Sequence, residues 1–256
     1  MREENSHDSD LTEDKKAGEM GFLDHLEELR WRILKVLISV TIFSVLSFFF
    51  SDFFVNFLIE PTKEMDPPLK LQVLRVQGML IVKMWIAVLG GFIISLPTIV
   101  YQAWQFVSPG LYQSEKKHLP TLIVATFLSF ILGAAFAYYV IIPLIIPTLL
   151  AFGVEGVENN ISINYYFGFV IQMILASGLI FEMPVLSYFL GRIGLLTPAF
   201  MRHYRRYALV GIMILAALLT PPDPLSQLLL AIPLLILYEI SIYISGIASR
   251  KHRIGT

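Results

Sequence analysis

The sequence has no cysteine among its 256 residues, and it has little charge. The first absence excludes disulfide frameworks, thiolate nucleophiles and cysteine-based metal sites. Only 15% of the residues are charged, whereas soluble domains carry about 25%. Because 56% of the residues are hydrophobic, the composition indicates a protein that resides in a lipid bilayer.

The N-terminus also lacks an address for secretion or for an organelle. Residues 1–20 are polar and acidic, with no short apolar core, no small-residue cleavage site and no Arg/Ser-rich transit pattern. We therefore expect residues 1–20 to be a disordered acidic cytoplasmic tail. The last ten residues, 247–256, are expected to form a basic cytoplasmic tail. The missing transit peptide points to a prokaryotic protein.

Six hydrophobic stretches are candidates for crossing about 30 Å of hydrocarbon. The second and fourth are longer than a bilayer requires, so we expect them to tilt or kink. The fifth is short, and the turn TPPDP at 220–224 separates it from the sixth with three prolines. The sequence predicts an all-α integral membrane protein with six transmembrane helices at about 34–51, 78–106, 120–142, 164–190, 207–220 and 225–245.

Lysine and arginine indicate the orientation of these helices. If the N-terminus is cytoplasmic, fifteen of the nineteen basic residues fall in inside segments. The outside segments then hold only Lys63, Lys70, Arg75 and Lys83. The charge bias therefore predicts that both the N-terminus and the C-terminus are cytoplasmic.

A single carboxylate, Glu182, interrupts the apolar stretch ILASGLIFEMPVLSYFL at 174–190. A charge at mid-membrane depth costs about 2.5–3.5 kcal/mol, so it is expected to face a protein partner or a water-filled cavity. Pro184 removes one helical hydrogen bond and predicts a kink, and Gly178, one turn earlier, is expected to leave space beside the carboxylate. The alternative is a structural glutamic acid that bonds to a neighbouring helix.

The segment FLDHLEELRWRIL at 22–34 predicts an amphipathic helix over 22–33, at the cytoplasmic interface before the first span. Its apolar residues fall on one helical stripe: Phe22, Leu26, Leu29 and Ile33. The alternative is a solvated charged face in which Glu28 pairs with Arg32 four residues later, worth about 0.2–0.5 kcal/mol.

The segment FVSPGLYQSEKKHLP at 106–120 forms the first cytoplasmic loop. Pro109 and Gly110 predict a turn, and Glu115 follows at the start of a short basic run. Taken alone, Glu115 is an ordinary surface acid beside Lys116 and Lys117.

The segment LLTPPDPLSQLLLAIPLLILYEI at 218–240 contains the outer turn and the last span. Asp223 is expected to be a turn acid or an N-cap of the sixth helix. Gln227 lies about one turn into that helix, and Glu239 lies near its inner end.

Four motifs together, HLEELRWRIL, FVSPGLYQSEKK, FEMP and LLTPPDPLSQLLLAIPLLILYEI, closely resemble the TatC family in their order and spacing. This family is the multi-spanning receptor subunit of the twin-arginine protein translocase. The resemblance extends over about 21–245. It implies a glove-like concave bundle over 21–246 that recognises signal peptides with two consecutive arginines. Transport of the folded cargo would use the proton-motive force, without nucleotide or cofactor.

The resemblance also implies a peptide site on the cytoplasmic face. In the family motif H-L-x-E-L-R the functional glutamate falls on Glu28, with Arg30 after it, and in L-Y-x-x-E it falls on Glu115. Carboxylates suit this task because guanidinium groups prefer planar, bidentate partners that lysine cannot match. The expected peptide-binding residues are Glu28, Glu115, Arg30, Leu26, Leu111 and Tyr112.

The intramembrane acidic or amide position of the family falls on Glu182. The resemblance implies that Glu182 and Gln227 meet single-span subunits of the TatA/TatB kind, and that Asp223, Pro221 and Pro222 form the outer turn. It further implies a homo-oligomer within a larger complex in a prokaryotic inner membrane, with no nucleic-acid partner.

An intramembrane hydrolase is not expected, because it would need a nucleophile and a base buried together. Ser177 is the nearest nucleophile, yet every histidine lies in a predicted cytoplasmic segment, which leaves neither a Ser–His pair nor a histidine metal cluster in the membrane. These histidines are His7, His25, His118, His203 and His252.

Two other classes of function stay open at this point. A proton-coupled small-solute carrier would use Glu182 and Asp223 as a proton relay. The absence of an internal repeat weakens that hypothesis. A structural scaffold would predict that no single carboxylate matters.

Overall fold

The structure is a computed structural model that describes residues 4–63, 69–107, 119–151, 160–220 and 223–254. It is helical apart from two strands of three residues. The helices are α1 (Glu4–Phe48), α2 (Ser51–Lys63), α3 (Gly78–Val107), α4 (Leu119–Phe136), α5 (Ile142–Leu150), α6 (Ile163–Phe181), α7 (Met183–Arg192), α8 (Pro198–His203), α9 (Arg205–Leu219) and α10 (Pro224–Ile254), and the strands are β1 (Lys70–Gln72) and β2 (Asn160–Ser162).

The structure confirms an all-α membrane protein. Within the described ranges, five helical stretches are long and apolar enough to cross a membrane. They are His25–Phe48, Gly78–Phe106, Pro120–Leu150, Ile163–Arg192 and Pro224–Ser249. The remaining predicted span, the fifth, is α9, whose 15 residues extend only about 22 Å. The fifth span is therefore the short one, as its sequence indicated.

Several helices extend beyond their predicted ends. α1 runs without interruption from Glu4, so it includes the segment for which we expected a disordered tail. The third span continues to Leu150 through a π-helical turn at Ala137–Ile141, and α10 continues to Ile254, into the expected basic tail. Extending an existing helix needs no new nucleus, so polar flanks can stay helical where their composition alone suggests otherwise.

The outer face contains elements that the sequence did not predict. α2 follows the first span and buries one stripe, Ser51, Val55, Leu58 and Thr62. Its backbone carbonyls accept hydrogen bonds from the bundle, Tyr138 Oη to Phe57 O at 2.7 Å and Tyr166 Oη to Leu58 O at 2.6 Å. β1 and β2 pair in parallel, with Leu71 opposite Ile161. These contacts join the two outer loops to the bundle.

The helices pack around one apolar core. α1 lies against α3, α3 against α4 and α6, α4 against α6, and α10 against α7 and α9. Phe167 and Met173 of α6 and Val82 of α3 are completely or almost completely buried in this core, and Phe130 of α4 is completely buried against Gly178 of α6.

α1 and α3 approach closely because small residues line their contact. A Cβ built on Gly91 would lie 2.6 Å from Ser44 Cα, and a Cβ on Gly90 would overlap the hydroxyl of Ser47. Ser39 also donates to Ser95 across this contact at 3.4 Å. Elsewhere α1 exposes apolar side chains such as Leu37 and Ile42, which in a membrane face lipid. The small-residue contact therefore determines where α1 lies.

Gly91→Ala should destabilise the protein, because the added methyl group meets the backbone of Ser44. Overpacking of this kind costs about 1–3 kcal/mol. Gly211→Ala in α9 is the matched control, since a Cβ there has no atom within 4 Å. Alanine is the better helix former by about 1 kcal/mol, so the control should be neutral or stabilising. The measurement is the apparent melting temperature in detergent, and equal values for the two variants would contradict the proposed packing.

Candidate functional site

Glu28 lies within α1, close to the start of its apolar span at His25–Phe48, and is held there by a guanidinium. Arg32 donates from Nε to Glu28 Oε1 at 3.0 Å and from its terminal nitrogen to the same oxygen. Its other terminal nitrogen donates to Gln105 Oε1 at 2.9 Å and reaches Gln102 Oε1 at 3.4 Å, on α3. The predicted Glu28–Arg32 pair is confirmed, and it joins α1 to α3.

The second oxygen of Glu28 faces a histidine. Oε2 lies 3.6 Å from Nδ1 of His25, and the His25 ring stacks on Phe106 with centroids 4.2 Å apart. The Glu28 side chain remains 35% exposed. This carboxylate is therefore fixed in position, yet it is open to the aqueous side.

The other predicted peptide-binding residues divide into two groups. Leu26 and Arg30 lie exposed on α1, one turn or less from Glu28. Leu111, Tyr112 and Glu115 lie outside the described residues. The loop that contains them connects the inner end of α3 to the start of α4.

Sequence reasoning missed the amides and the aromatic ring that position Glu28. Gln102 and Gln105 are three residues apart, and Gln105 also donates to Tyr101 Oη at 2.7 Å. The signal was present, since two glutamines on one face at the end of an apolar span seldom occur without a polar partner. Phe106 gave no such signal, because an aromatic residue at a helix end is common.

Glu182 lies where the fourth span is interrupted. It is the residue between α6 and α7, and Pro184 occupies the first turn of α7. The helix is therefore interrupted at Glu182, next to the position where a kink was predicted. Ser129 of α4 donates to the carbonyl of Phe181 and so satisfies a backbone acceptor beside the break.

The carboxyl group of Glu182 is buried, with the whole residue only 9% exposed. Thr126 of α4 forms a side-chain hydrogen bond with it. Within the described part of the chain, Oε1 is buried and has no hydrogen-bond partner. The group is thus half-satisfied among the described residues, because one of its oxygens has a partner on α4 and the other has none there.

The expected space beside Glu182 is absent. A Cβ on Gly178 would lie 2.5 Å from the ring of Phe130, which fills the position that we expected to be open. The expectation was wrong because Gly178 permits the close approach of α4 to α6 and leaves no gap. Gly133 of α4 lies at the same crossing, where a Cβ would be 2.6 Å from Ser177 O.

At the outer turn, Asp223 caps α10. Its Oδ2 accepts from the Ser226 amide at 2.6 Å, and Oδ1 reaches the Leu225 amide at 3.4 Å. The predicted N-cap is confirmed. Hydrogen bonds from Ser226 hold the pKa of the Asp223 carboxyl below its usual value. Gln227 of α10 donates to Met213 O of α9 at 3.0 Å, and Pro221 and Pro222 lie outside the described residues.

Asp223→Ala should lower the melting temperature, because two amides at the start of α10 lose their acceptor. Asp223→Asn should lower it less, since the amide oxygen still caps. The pKa of Asp223 is lowered in the folded state, so its negative charge stabilises the fold at neutral pH. The difference in stability between wild type and Asp223→Asn should therefore disappear as the pH falls through that pKa. Melting curves at about pH 7 and about pH 3 measure this. A difference between wild type and Asp223→Asn that does not change with pH would contradict it.

The chain resembles a known family over most of its length. Residues 24–233 match the family model described as Sec-independent protein translocase protein (TatC). The chain is 38% identical to the Sec-independent protein translocase protein TatCy of Bacillus subtilis (strain 168), over 92% of both proteins. It is 36% identical to the TatC protein of Aquifex aeolicus (strain VF5), over 91% of this chain and 98% of that protein.

The fold agrees with these matches. A crystal structure of the twin arginine translocase receptor TatC superposes with a TM-score of 0.79 and 36% identity, covering 88% of this chain and 100% of the other. The bacterial relatives and the apolar helices show a multi-pass protein of the inner membrane. The sequence, the fold and the spacing of the motifs agree, and the chain belongs to the TatC family.

Proposed function

We propose that this chain is the signal-peptide receptor of a twin-arginine translocase. Membership of the TatC family makes it part of a multi-subunit Tat complex. In our proposal it binds the two consecutive arginines of the signal peptides of folded precursors at its cytoplasmic face. It then nucleates assembly of single-span TatA/TatB-type subunits for export driven by the proton-motive force.

The observation that carries the proposal is the setting of Glu28. This carboxylate already binds one guanidinium, that of Arg32, through Oε1. Its Oε2 lies 3.6 Å from His25, which is longer than a good hydrogen bond, and so retains acceptor capacity for an incoming arginine. Gln105 and Gln102 keep Arg32 in place and thereby keep Glu28 oriented. A preorganised carboxylate loses little conformational entropy when it binds.

The position of the following loop supports a second carboxylate at the same site. Phe106 stacks on His25, one turn from Glu28, and the loop that contains Glu115 leaves α3 directly after Val107. In the proposal Glu28 and Glu115 each receive one arginine. Leu26, Leu111 and Tyr112 contact the hydrophobic part of the peptide, and Arg30 orients the site.

Glu28→Ala and Glu115→Ala should each weaken the binding of a twin-arginine signal peptide by about tenfold or more, since a hydrogen bond to a charged group contributes about 1.5–3 kcal/mol. Glu27→Ala is the matched control, because Glu27 is an exposed acid on the same helical turn. The measurement is the Kd of a fluorescent peptide for the protein in nanodiscs. Unchanged binding by both variants, or equal loss in the control, would contradict the proposed site.

The proposal assigns the contact with partner subunits to the intramembrane polar groups. Glu182 Oε1 is buried without a partner in the described part of the chain, and a polar group on a partner helix would satisfy it. Gln227 is only half-buried at the outer end of the α9–α10 pair and is a second polar contact in the proposal. A second copy of this chain within the complex is also part of the proposal.

Glu182→Ala should separate binding from transport. We expect signal-peptide binding within about twofold of wild type, because Glu182 lies within the fourth span and Glu28 lies on α1, whereas export of a twin-arginine precursor should be lost. Glu60→Ala, at an exposed acid on the outer face, is the control and should leave both unchanged. Both activities are measured on the same membranes. Parallel loss of binding and export would count against this assignment.

The carrier hypothesis is not supported. Both carboxylate oxygens of Asp223 face amides at the start of α10, so this residue has a structural role. The relatives are named as protein translocase proteins, and the proposal requires no catalytic residue.

A further inference from the structure

A groove of about 930 Å³ lies between α8, the cytoplasmic end of α9 and the middle of α10. Its rim consists of exposed basic side chains, and its floor is apolar. The rim residues are Arg202, His203, Arg205 and Arg206. The floor includes Leu209 and Ile236, which are 47% and 55% exposed. A surface of this kind suits an amphiphile with an anionic head.

The charge of the rim is only partly compensated. Arg205 donates from Nε to Glu239 Oε1 at 2.6 Å, and this ion pair neutralises one guanidinium. Arg206 lies over the ring of Tyr207, 5.1 Å from its centroid. Neither Arg202 nor Arg206 forms an ion pair with an acidic residue among those that the structure describes. Two guanidiniums therefore remain available to an anion.

The depth of the rim favours a lipid headgroup as the anion. α9 extends about 22 Å from the outer turn to Arg205, whereas the hydrocarbon core is about 30 Å thick. In a bilayer of ordinary thickness the guanidiniums would lie among acyl chains, so the inner leaflet must thin to bring phosphates to them. Tyr204 and Tyr207 are exposed at the same level, as is typical of residues at the headgroup boundary.

We propose that this groove binds the headgroup phosphate of an anionic phospholipid from the cytoplasmic leaflet. Arg202 and Arg206 hold the phosphate, and one acyl chain lies along Leu209 and Ile236. The bound lipid keeps the inner leaflet at the level of the short α9. The positive-inside bias would require only that basic residues lie on the cytoplasmic side. Here the basic side chains also line one groove, and the floor of that groove is apolar. A peptide with paired arginines would be repelled by the same charges.

The test compares lipid binding by the full chain in detergent micelles, measured by native mass spectrometry with added phosphatidylglycerol or phosphatidylcholine. The variant Arg202→Gln/Arg206→Gln removes the two available guanidiniums, and Arg202→Lys/Arg206→Lys retains their charge. Arg250→Gln/Lys251→Gln is the matched control, because it removes the same charge from the basic C-terminal segment. Inorganic phosphate is added in a further arm as a competitor.

We expect wild type to bind phosphatidylglycerol more tightly than phosphatidylcholine, and the double Gln variant to bind it about tenfold more weakly or worse. The double Lys variant and the C-terminal control should bind nearly as wild type does. Equal affinity for the two lipids, or equal loss in the control, would overturn the proposal. The proposal would also be overturned if inorganic phosphate displaced bound phosphatidylglycerol as effectively as free lipid does, since the site would then recognise phosphate alone. Signal-peptide binding through Glu28 is a separate readout and should not change.

Discussion

The contact between α1 and α3 is the constraint on which the cytoplasmic site depends. In lipid there is no hydrophobic force between apolar helices, so α1 must be held by close packing of small residues and by polar bonds. Gly90 and Gly91 supply the packing in the membrane, and Arg32 supplies the bonds to α3 at the cytoplasmic end. Without both, Glu28 would lie on a helix that is exposed to lipid along most of its length.

Glu182 and the α9–α10 pair show a different use of polar groups. Asp223 and Gln227 fix the outer end of this pair through bonds to backbone groups, so the start of α10 is held beside the outer end of the short α9. Glu182 remains half-satisfied beside the crossing of α4 and α6. The short α9 and an oxygen of Glu182 that has no partner among the described residues are both features that a partner helix could use. In the proposed function, the membrane region serves assembly and the aqueous face serves recognition.

Much of this architecture could be predicted from the sequence because the bilayer restricts what a chain can do. The length of the apolar stretches predicted the six spans, and the distribution of Lys and Arg predicted their orientation. Pro184 predicted an irregularity in the helix near Glu182, and Asp223 before an apolar run predicted the N-cap of α10. In each case a single physical rule acts on residues that are adjacent in the chain. The family resemblance then indicated which carboxylates belong to the expected peptide site.

The features that the sequence did not predict are those that depend on contacts between distant segments. β1 and β2 have three residues each, too few for a recognisable alternation, and their pairing joins loops about 90 residues apart. The role of Gln105 depends on Arg32, which lies 73 residues earlier. Gly178 suggested open space, yet the ring of Phe130 occupies it. A glycine alone does not distinguish a gap from a close approach.

The central claim is that Glu28, fixed to α3 through Arg32, binds a signal-peptide arginine directly. A double-mutant cycle tests it, with wild type and Glu28→Gln each titrated with a twin-arginine peptide and its twin-lysine counterpart. The account predicts coupling. Replacing the peptide arginines by lysines should weaken binding to wild type about tenfold more than it weakens binding to Glu28→Gln. The reason is that only a carboxylate accepts the two parallel hydrogen bonds that a guanidinium donates. Equal losses in the two proteins would show that Glu28 and the arginines act independently, and would contradict the account.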